Sequence, residues 1–459
     1  MTPVRRTNWS KQPWLLISAD DLQTERRQCA EEGLDLAGVA DEFAELATLD
    51  LTEETPQQRA EALLDRTPTL PRIEGYPFVE PSDLAGIQHA RPHAVALPVA
   101  TLDAATRYDK ALGGWQGRAS GCLLGKPVEG KRSGDIAGYL RAQGRWPLDR
   151  YFSRLAPEGV AAQYQFDLAK PGQYEEDIVA MVEDDDTNYT VAGLAIVQKY
   201  GLDFTPAQVA TFWLDNLPIF HVCTAERVAY KNLVNGIAPP DSARYRNVYR
   251  EWIGAQIRAD FFGYVNPGDP ERAAAFAWRD AAISHVKNGI YGEMWVAAML
   301  AAAYVCDDIA SVIRAGLAQV PASSRLSAAI THTLALHAAG ASYDDAIADL
   351  RTRWDETQSH AWCHTISNAE IVAIALLWGA QDFTRTLGYS VMPGFDTDCN
   401  AATAGSVLGV LLGASRLPAA WIAPLQDTLY TGVSGYHRVA LTQMAEATVG
   451  LMATPAASG

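Results

Sequence analysis

Glycine recurs at every fourth position in two stretches of this chain. Gly113, Gly117, Gly121 and Gly125 form one row, and Gly405, Gly409 and Gly413 form another. In a helix, a four-residue interval stacks residues above one another on a single face. Each interior glycine costs a helix about 1 kcal/mol relative to alanine. Such a row is therefore expected only where it lets another backbone approach closely. The two rows predict two central helices in tight contact. For the first row, a glycine-rich loop is the alternative.

The sequence around the rows is helical in pattern. From about residue 102 onward, apolar positions recur at intervals of three and four, as in residues 191–199, 207–217, 294–304, 309–317, 326–338 and 369–378. Alternating strand patterns are few. Breaks fall at Pro239-Pro240 and at Asn266-Pro267-Gly268-Asp269-Pro270. The expected fold class is all-α. Residues 1–100 differ from 101–459, being charged and punctuated by prolines. They carry a helical stretch over about 18–49, a short one near 57–66, and irregular sequence through Pro71, Pro77, Pro81 and Pro92. Nothing there reads as catalytic. The expectation is a helical N-terminal extension packed on the main body or on a partner subunit, in which case it would build a homo-oligomer.

Composition narrows the class. The 459 residues allow about three domains or one large enzyme domain. With 48% hydrophobic and 20% charged residues, the chain can bury a sizeable core and is not disordered. It has 37 Lys and Arg against 54 Asp and Glu, a net charge of −17. That balance, with no basic run, disfavours a nucleic-acid partner. The longest uncharged apolar segment, from Cys399 to Ser415, is too short and too polar to span a bilayer, and the N-terminus lacks a signal-peptide core. Six cysteines are scattered without a CxxC pair, which suits reduced thiols in a cytoplasmic protein.

Two acidic motifs carry the chemistry. Glu183-Asp184-Asp185-Asp186-Thr187 leads into a helical stretch. Alone it reads equally as a solvated acidic helix start or as a hard-cation site, since Mg²⁺, Mn²⁺ and Ca²⁺ take oxygen ligands. Gly394-Phe395-Asp396-Thr397-Asp398-Cys399-Asn400 leads into the second glycine row, beside a helix that has to be buried. Buried carboxylates need a compensating cation. Five carboxylates converging from two helix starts would suit two divalent ions, activating water or gripping a diol.

Here the chain resembles a known family, the ADP-ribosylglycohydrolases. The resemblance spans roughly residues 108–450. It rests on four motifs in order: GRASGCLLGKPVE (Gly117 to Glu129), EDDDT (Glu183 to Thr187), SHVKNGIYGE (Ser284 to Glu293) and DTDCNAATAGSVLGVLLGA (Asp396 to Ala414). It implies an orthogonal helical bundle with a dinuclear magnesium site in a central cleft. The implied reaction is hydrolysis of a glycosidic bond at the anomeric carbon of a ribose. The implied cofactors are two Mg²⁺, with Mn²⁺ as the alternative. The implied metal set is Asp184, Asp185, Asp186, Asp396, Asp398 and Cys399. At two of these positions the family usually has a hydroxyl residue, where this chain has Asp184 and Cys399. A neutral thiol is a poor partner for Mg²⁺, and Asp184 is the compensating carboxylate.

The same resemblance implies that Glu129 reaches the ribose or the reacting water, with Asp185 and Asp398 as further catalytic groups. A carboxylate just past a buried helix can orient water or act as a general base. An exposed glutamate beside Gly130 and Lys131 is the plainer reading. His285, Asn288, Tyr291 and Glu293 fall in a block expected to line the substrate pocket. A hydrogen-bonded structural histidine and a core tyrosine are the plainer readings of His285 and Tyr291. One departure bears on substrate: where the family carries Asn-Gly-x-x-Met-Arg, this chain has Ile253-Gly254-Ala255-Gln256-Ile257-Arg258. No glycine-rich loop that would cradle a pyrophosphate is evident. The expectation is therefore a ribosyl glycosidase acting on a small ribosyl metabolite or an ADP-ribosylated side chain. A non-catalytic crystallin-like member and a dinuclear phosphohydrolase are the alternatives. The first should have lost the aspartates, and the second should carry histidines beside the metals.

Overall fold

In the computed structural model, the structure describes residues 14–92, 95–98 and 101–452. Its regular structure is almost entirely helical. Eight helices position the site: α1 (Ala19–Glu31), α2 (Ala104–Gly125), α3 (Asp185–Tyr200), α4 (Thr224–Val234), α5 (Asn288–Ala303), α6 (Arg325–Ala338), α7 (Thr365–Gly379) and α8 (Thr397–Leu412). Among the described residues, regular β-structure amounts to one antiparallel ribbon, β1 (Thr428–Tyr430) with β2 (Arg438–Ala440). Every residue of α5 and of α8 is buried. Helices apolar on all sides belong at the centre of a fold, and α7 shares that centre.

The glycine rows meet as the sequence requires. α2 is a helix of 22 residues, so the loop alternative for the first row does not hold. A Cβ at Gly117 would overlap the carbonyl oxygen of Gly405, and one at Gly409 would overlap that of Gly113. The second row departs in one respect. Gly413 lies just past the end of α8, where its φ of +82° turns the chain away.

The N-terminal part packs on the body. The stretch over 18–49 is two helices rather than one, because Gly33, at φ +73°, breaks it after α1. Arg250 bonds Glu32 at 2.8 Å and also pairs with Glu25, both on or next to α1. Arg325, at the start of α6, bonds Glu80 at 2.9 Å and Glu251 at 2.7 Å. Three elements are thus tied by buried ion pairs, which lose several kcal/mol if one partner is removed. Glu31 adds a clasp with His360 and His364. The Nδ1 of His360 accepts from the Trp252 indole at 3.2 Å, and that of His364 accepts from the Ile366 amide at 3.1 Å. The Nε2 of each ring faces Glu31. No helix among the described residues is long and apolar enough to cross a membrane.

Candidate metal centre and cleft

The glycine seam delivers one acidic motif to the other. A Cβ at Gly121 would overlap Ala401, and one at Gly125 would overlap the backbone of Thr397 and Asp398. The hydroxyl of Thr397 donates to the Gly125 carbonyl at 2.9 Å. The end of α2 therefore fixes the start of α8. From α2, Arg118 reaches across to the start of α3, bonding the Asp186 carboxylate at 3.0 Å and carbonyl at 2.8 Å. It also pairs with Asp260 at 2.8 Å. Asp184 caps α3, accepting from the Asp186 amide at 2.9 Å, and Asp396 stands at the cap position of α8. Both motifs thus sit at helix N-termini, where partial positive charge favours anions.

The resulting cluster is dense. Asp184, Asp186, Asp398 and Cys122 offer ligand atoms all within 4.8 Å of one another, and Asp396, Asp398 and Cys399 form a second such group. Asp398 belongs to both, and its Oδ1 is buried without a hydrogen-bond partner. Burial raises the Asp398 carboxyl well above its usual range, and Glu129, Asp184, Asp396 and Asp186 raise it further. Asp186 is raised by burial and Asp184 despite Arg118, and Asp396 is also raised, first by burial. Burial opposes ionisation of Asp184 too, but the Lys126 ammonium bonded to it outweighs that and holds it low. Cys122 and Cys399 are thiols pushed well up, first by burial and then by the surrounding carboxylates. A carboxylate with an orphaned oxygen, on a residue common to two groups of mostly oxygen donors, fits a hard divalent cation. The protonated thiols add little to that fit.

Above the cluster lies a cleft of about 420 Å³ lined by Glu129, Asp185, Asp396, Asp398 and Cys399, with Lys131 and Arg132 alongside. Asp185 joins neither ligand group and instead lines this cleft. Its carboxyl is raised well above the usual range by burial and by Asp184, Asp186 and Glu129. Glu129 follows the short turn Lys126–Val128. As a residue it is exposed, but its carboxyl, enclosed by the cleft and facing Asp184 and Asp396, is pushed up to about 7.

The block expected to bind substrate sits elsewhere. His285, Asn288, Tyr291 and Glu293 are buried, and none of the four lines the cleft. His285 bonds Ser284 at 2.8 Å, and burial together with Arg258 holds its imidazole far below the usual range, so it is neutral. Asn288 donates to Glu80 at 2.8 Å and accepts from the Leu326 amide at 3.0 Å, linking the N-terminal part to α6. The Tyr291 hydroxyl donates to the Pro81 carbonyl. Glu293 faces Arg258 at 3.6 Å. The departed segment does reach the cleft, through Ile253, Gly254 and Ile257.

Several residues of the site lie outside the two acidic motifs. Arg118 and Lys126 lie within the motif over residues 117–129, and a charge on a glycine-row helix that must be buried could have flagged Arg118 as paired. Asn368 accepts from the Asp396 amide at 3.2 Å and from the Asn400 side chain at 2.8 Å. Glu226 and Trp14 line the cleft from distant parts of the chain.

An all-helical scaffold bringing two aspartate-rich helix starts to the floor of one cleft defines the class of site. The particular family follows from comparison: the family model for ADP-ribosylglycohydrolase matches residues 103–457, and the chain belongs to that family. One solved structure, described as an ADP-ribosylglycohydrolase-related protein complex, matches over 76% of this chain and 98% of its own, at 16% identity and a TM-score of 0.42. No curated protein matches the chain.

Proposed function

We propose that the protein is a metal-dependent hydrolase that cleaves an N- or O-glycosidic bond at the anomeric carbon of a ribose. The observation that carries this reading is Asp398, which belongs to both ligand groups and has one buried carboxylate oxygen without a hydrogen-bond partner. Asp184, Asp186, Asp396 and Asp398 would hold the metal, two Mg²⁺ or Mn²⁺ being the set the family suggests. When bound, such ions supply positive charge that makes water easier to deprotonate and a vicinal diol easier to hold. Glu129, pushed up to about 7, is poised to take a proton from the attacking water. Asp185 lines the same cleft and faces the developing positive charge of the sugar. The helix starts and Arg118 keep the aspartates fixed before substrate arrives.

The substrate is a small ribosyl metabolite or an ADP-ribosylated side chain. All six cysteines are free, which fits the reducing cytoplasm as the compartment. The test is a panel of ADP-ribosyl-arginine, ADP-ribosyl-serine, O-acetyl-ADP-ribose and nucleosides, supplied with Mg²⁺ or Mn²⁺ and read as free sugar. Release that is abolished by chelation and restored by metal supports the reading. Release of inorganic phosphate without sugar contradicts it.

A further inference from the structure

Beside the aspartates, the cleft is lined by a different chemistry. Three indoles line it, Trp14, Trp252 and Trp362. Trp252 has its N–H engaged by His360, whereas the Nε1 of Trp362 is buried without a hydrogen-bond partner. Glu226, from the first turn of α4, also lines the cleft and is 1% exposed. One of its oxygens bonds Arg258 at 2.8 Å, and the other, Oε2, has no hydrogen-bond partner. Gly254 makes room for that carboxylate, since a Cβ there would overlap both of its oxygens.

Buried polar atoms without partners are rare in native folds and each asks for an explanation. This part of the lining brings one residue with an unmatched acceptor and one with an unmatched donor to the same cleft as the indoles and the apolar Ile253. We propose that it is the subsite for the leaving group, and that the leaving group is a planar heteroaromatic base carrying both an N–H donor and a ring or carbonyl acceptor. Glu226 Oε2 receives the N–H, Trp362 Nε1 donates to the acceptor, and Trp14 closes the aromatic surface. The substrate class is accordingly the N-ribosides of such bases. Trp14 precedes the family-matched residues 103–457, so the N-terminal extension supplies part of the specificity.

This assignment rests on the ribosyl-hydrolase reading, and its test separates the two. Binding of free heteroaromatic bases to the full-length protein, followed by tryptophan fluorescence and calorimetry, needs no turnover. Binding is expected for bases with a free N–H and is expected to weaken about tenfold or more for their N-methylated counterparts. Trp14→Ala should weaken it by about 5- to 100-fold, with Trp14→Phe restoring most of the loss. Glu226→Gln should abolish the distinction between the N–H and N-methyl bases. In turnover, Trp14→Ala should raise KM for N-ribosides of these bases more than KM for an O-alkyl riboside.

Bases that bind with no preference for the N–H, or binding that Trp14→Ala does not change, would overturn the subsite. Absence of base binding from a protein that hydrolyses ADP-ribosyl-arginine overturns it as well, and leaves the ribosyl-hydrolase reading intact. Base binding with this pattern and no sugar release from any riboside supports the subsite and sinks the hydrolase reading instead. Should Glu226→Gln fail to fold because Arg258 loses its partner, the Trp14 pair decides the matter.

Discussion

Gly125 and Asp398 are in direct backbone contact: a methyl group at residue 125 would overlap the amide nitrogen and Cα of Asp398. The last glycine of one row is thus the spacer that sets the position of an aspartate of the acidic cluster. Close packing of two helices and placement of the acidic cluster are the same structural fact.

Gly125→Ala is therefore expected to do more than destabilise. Overpacking a tight contact costs about 1–3 kcal/mol, and a shift of the α8 start would also weaken divalent-cation affinity. Gly117→Ala clashes with Gly405, two turns away, and should lower stability by a similar amount with little effect on the affinity of the folded protein. Thermal melts paired with calorimetric Mn²⁺ titrations distinguish the two.

Lys126 acts as an internal counter-cation for Asp184. Removing one partner of a buried pair costs about 3–5 kcal/mol, so Lys126→Met should melt well below the wild type in the presence of chelator. The same change frees a carboxylate for metal. The rise in Tm on adding Mg²⁺ should be larger in the variant than in the wild type. An equal or smaller rise would show that Asp184 does not contribute to cation binding.

The joint between the N-terminal part and the body makes stability depend on pH. Glu251 is buried against Arg325, and burial followed by Glu80 and Glu32 pushes its carboxyl from an ordinary 4.5 up to about 7 despite that arginine. The folded state then binds more protons at this residue than the unfolded state does. Its contribution is harmless below pH 4.5 and becomes progressively destabilising up to about pH 7, with the full cost above. Denaturant titrations across that window should show Glu251→Gln losing less stability with rising pH than the wild type.

His285 supplies a discriminating negative. It is buried, neutral and outside the cleft lining. His285→Ala should cost about 2–3 kcal/mol of stability through the cavity it leaves. KM measured on the folded protein should be unchanged. A KM rise of tenfold or more at full folding would return His285 to the substrate site.

The helical fold and its central contact were legible because both depend on local rules. Four-residue glycine spacing, three-and-four apolar spacing and carboxylates at helix starts can each be read within a short window. Breaks were read less well: Gly33 splits a pattern that looks continuous, and Gly413 ends a row that looks uninterrupted. The acidic cluster was legible in the two motifs, whose Asp184, Asp186, Asp396 and Asp398 the fold brings together. Its counter-charges were not, because Arg118 and Lys126 act through pairings 68 and 58 residues distant in sequence. The block from Ser284 to Glu293 looked like a pocket wall, and its Asn288 and Tyr291 instead bond the N-terminal part and α6. Polar residues on a fully buried helix look alike in sequence whether they face a cleft or a neighbouring element. The cleft's aromatic wall was illegible for a related reason: Trp14, Glu226 and Trp362 meet only through tertiary packing.

On the proposed function, Asp398 holds a divalent ion required for turnover on a ribosyl bond. Its most direct test is calorimetric titration of Mn²⁺ into chelator-stripped wild type and Asp398→Asn, with sugar release measured on the same samples. The wild type is expected to bind Mn²⁺ and turn over, and Asp398→Asn, folded by circular dichroism, to lose about a hundredfold or more in affinity and all measurable sugar release. Equal Mn²⁺ affinity and equal turnover in the two proteins would contradict it.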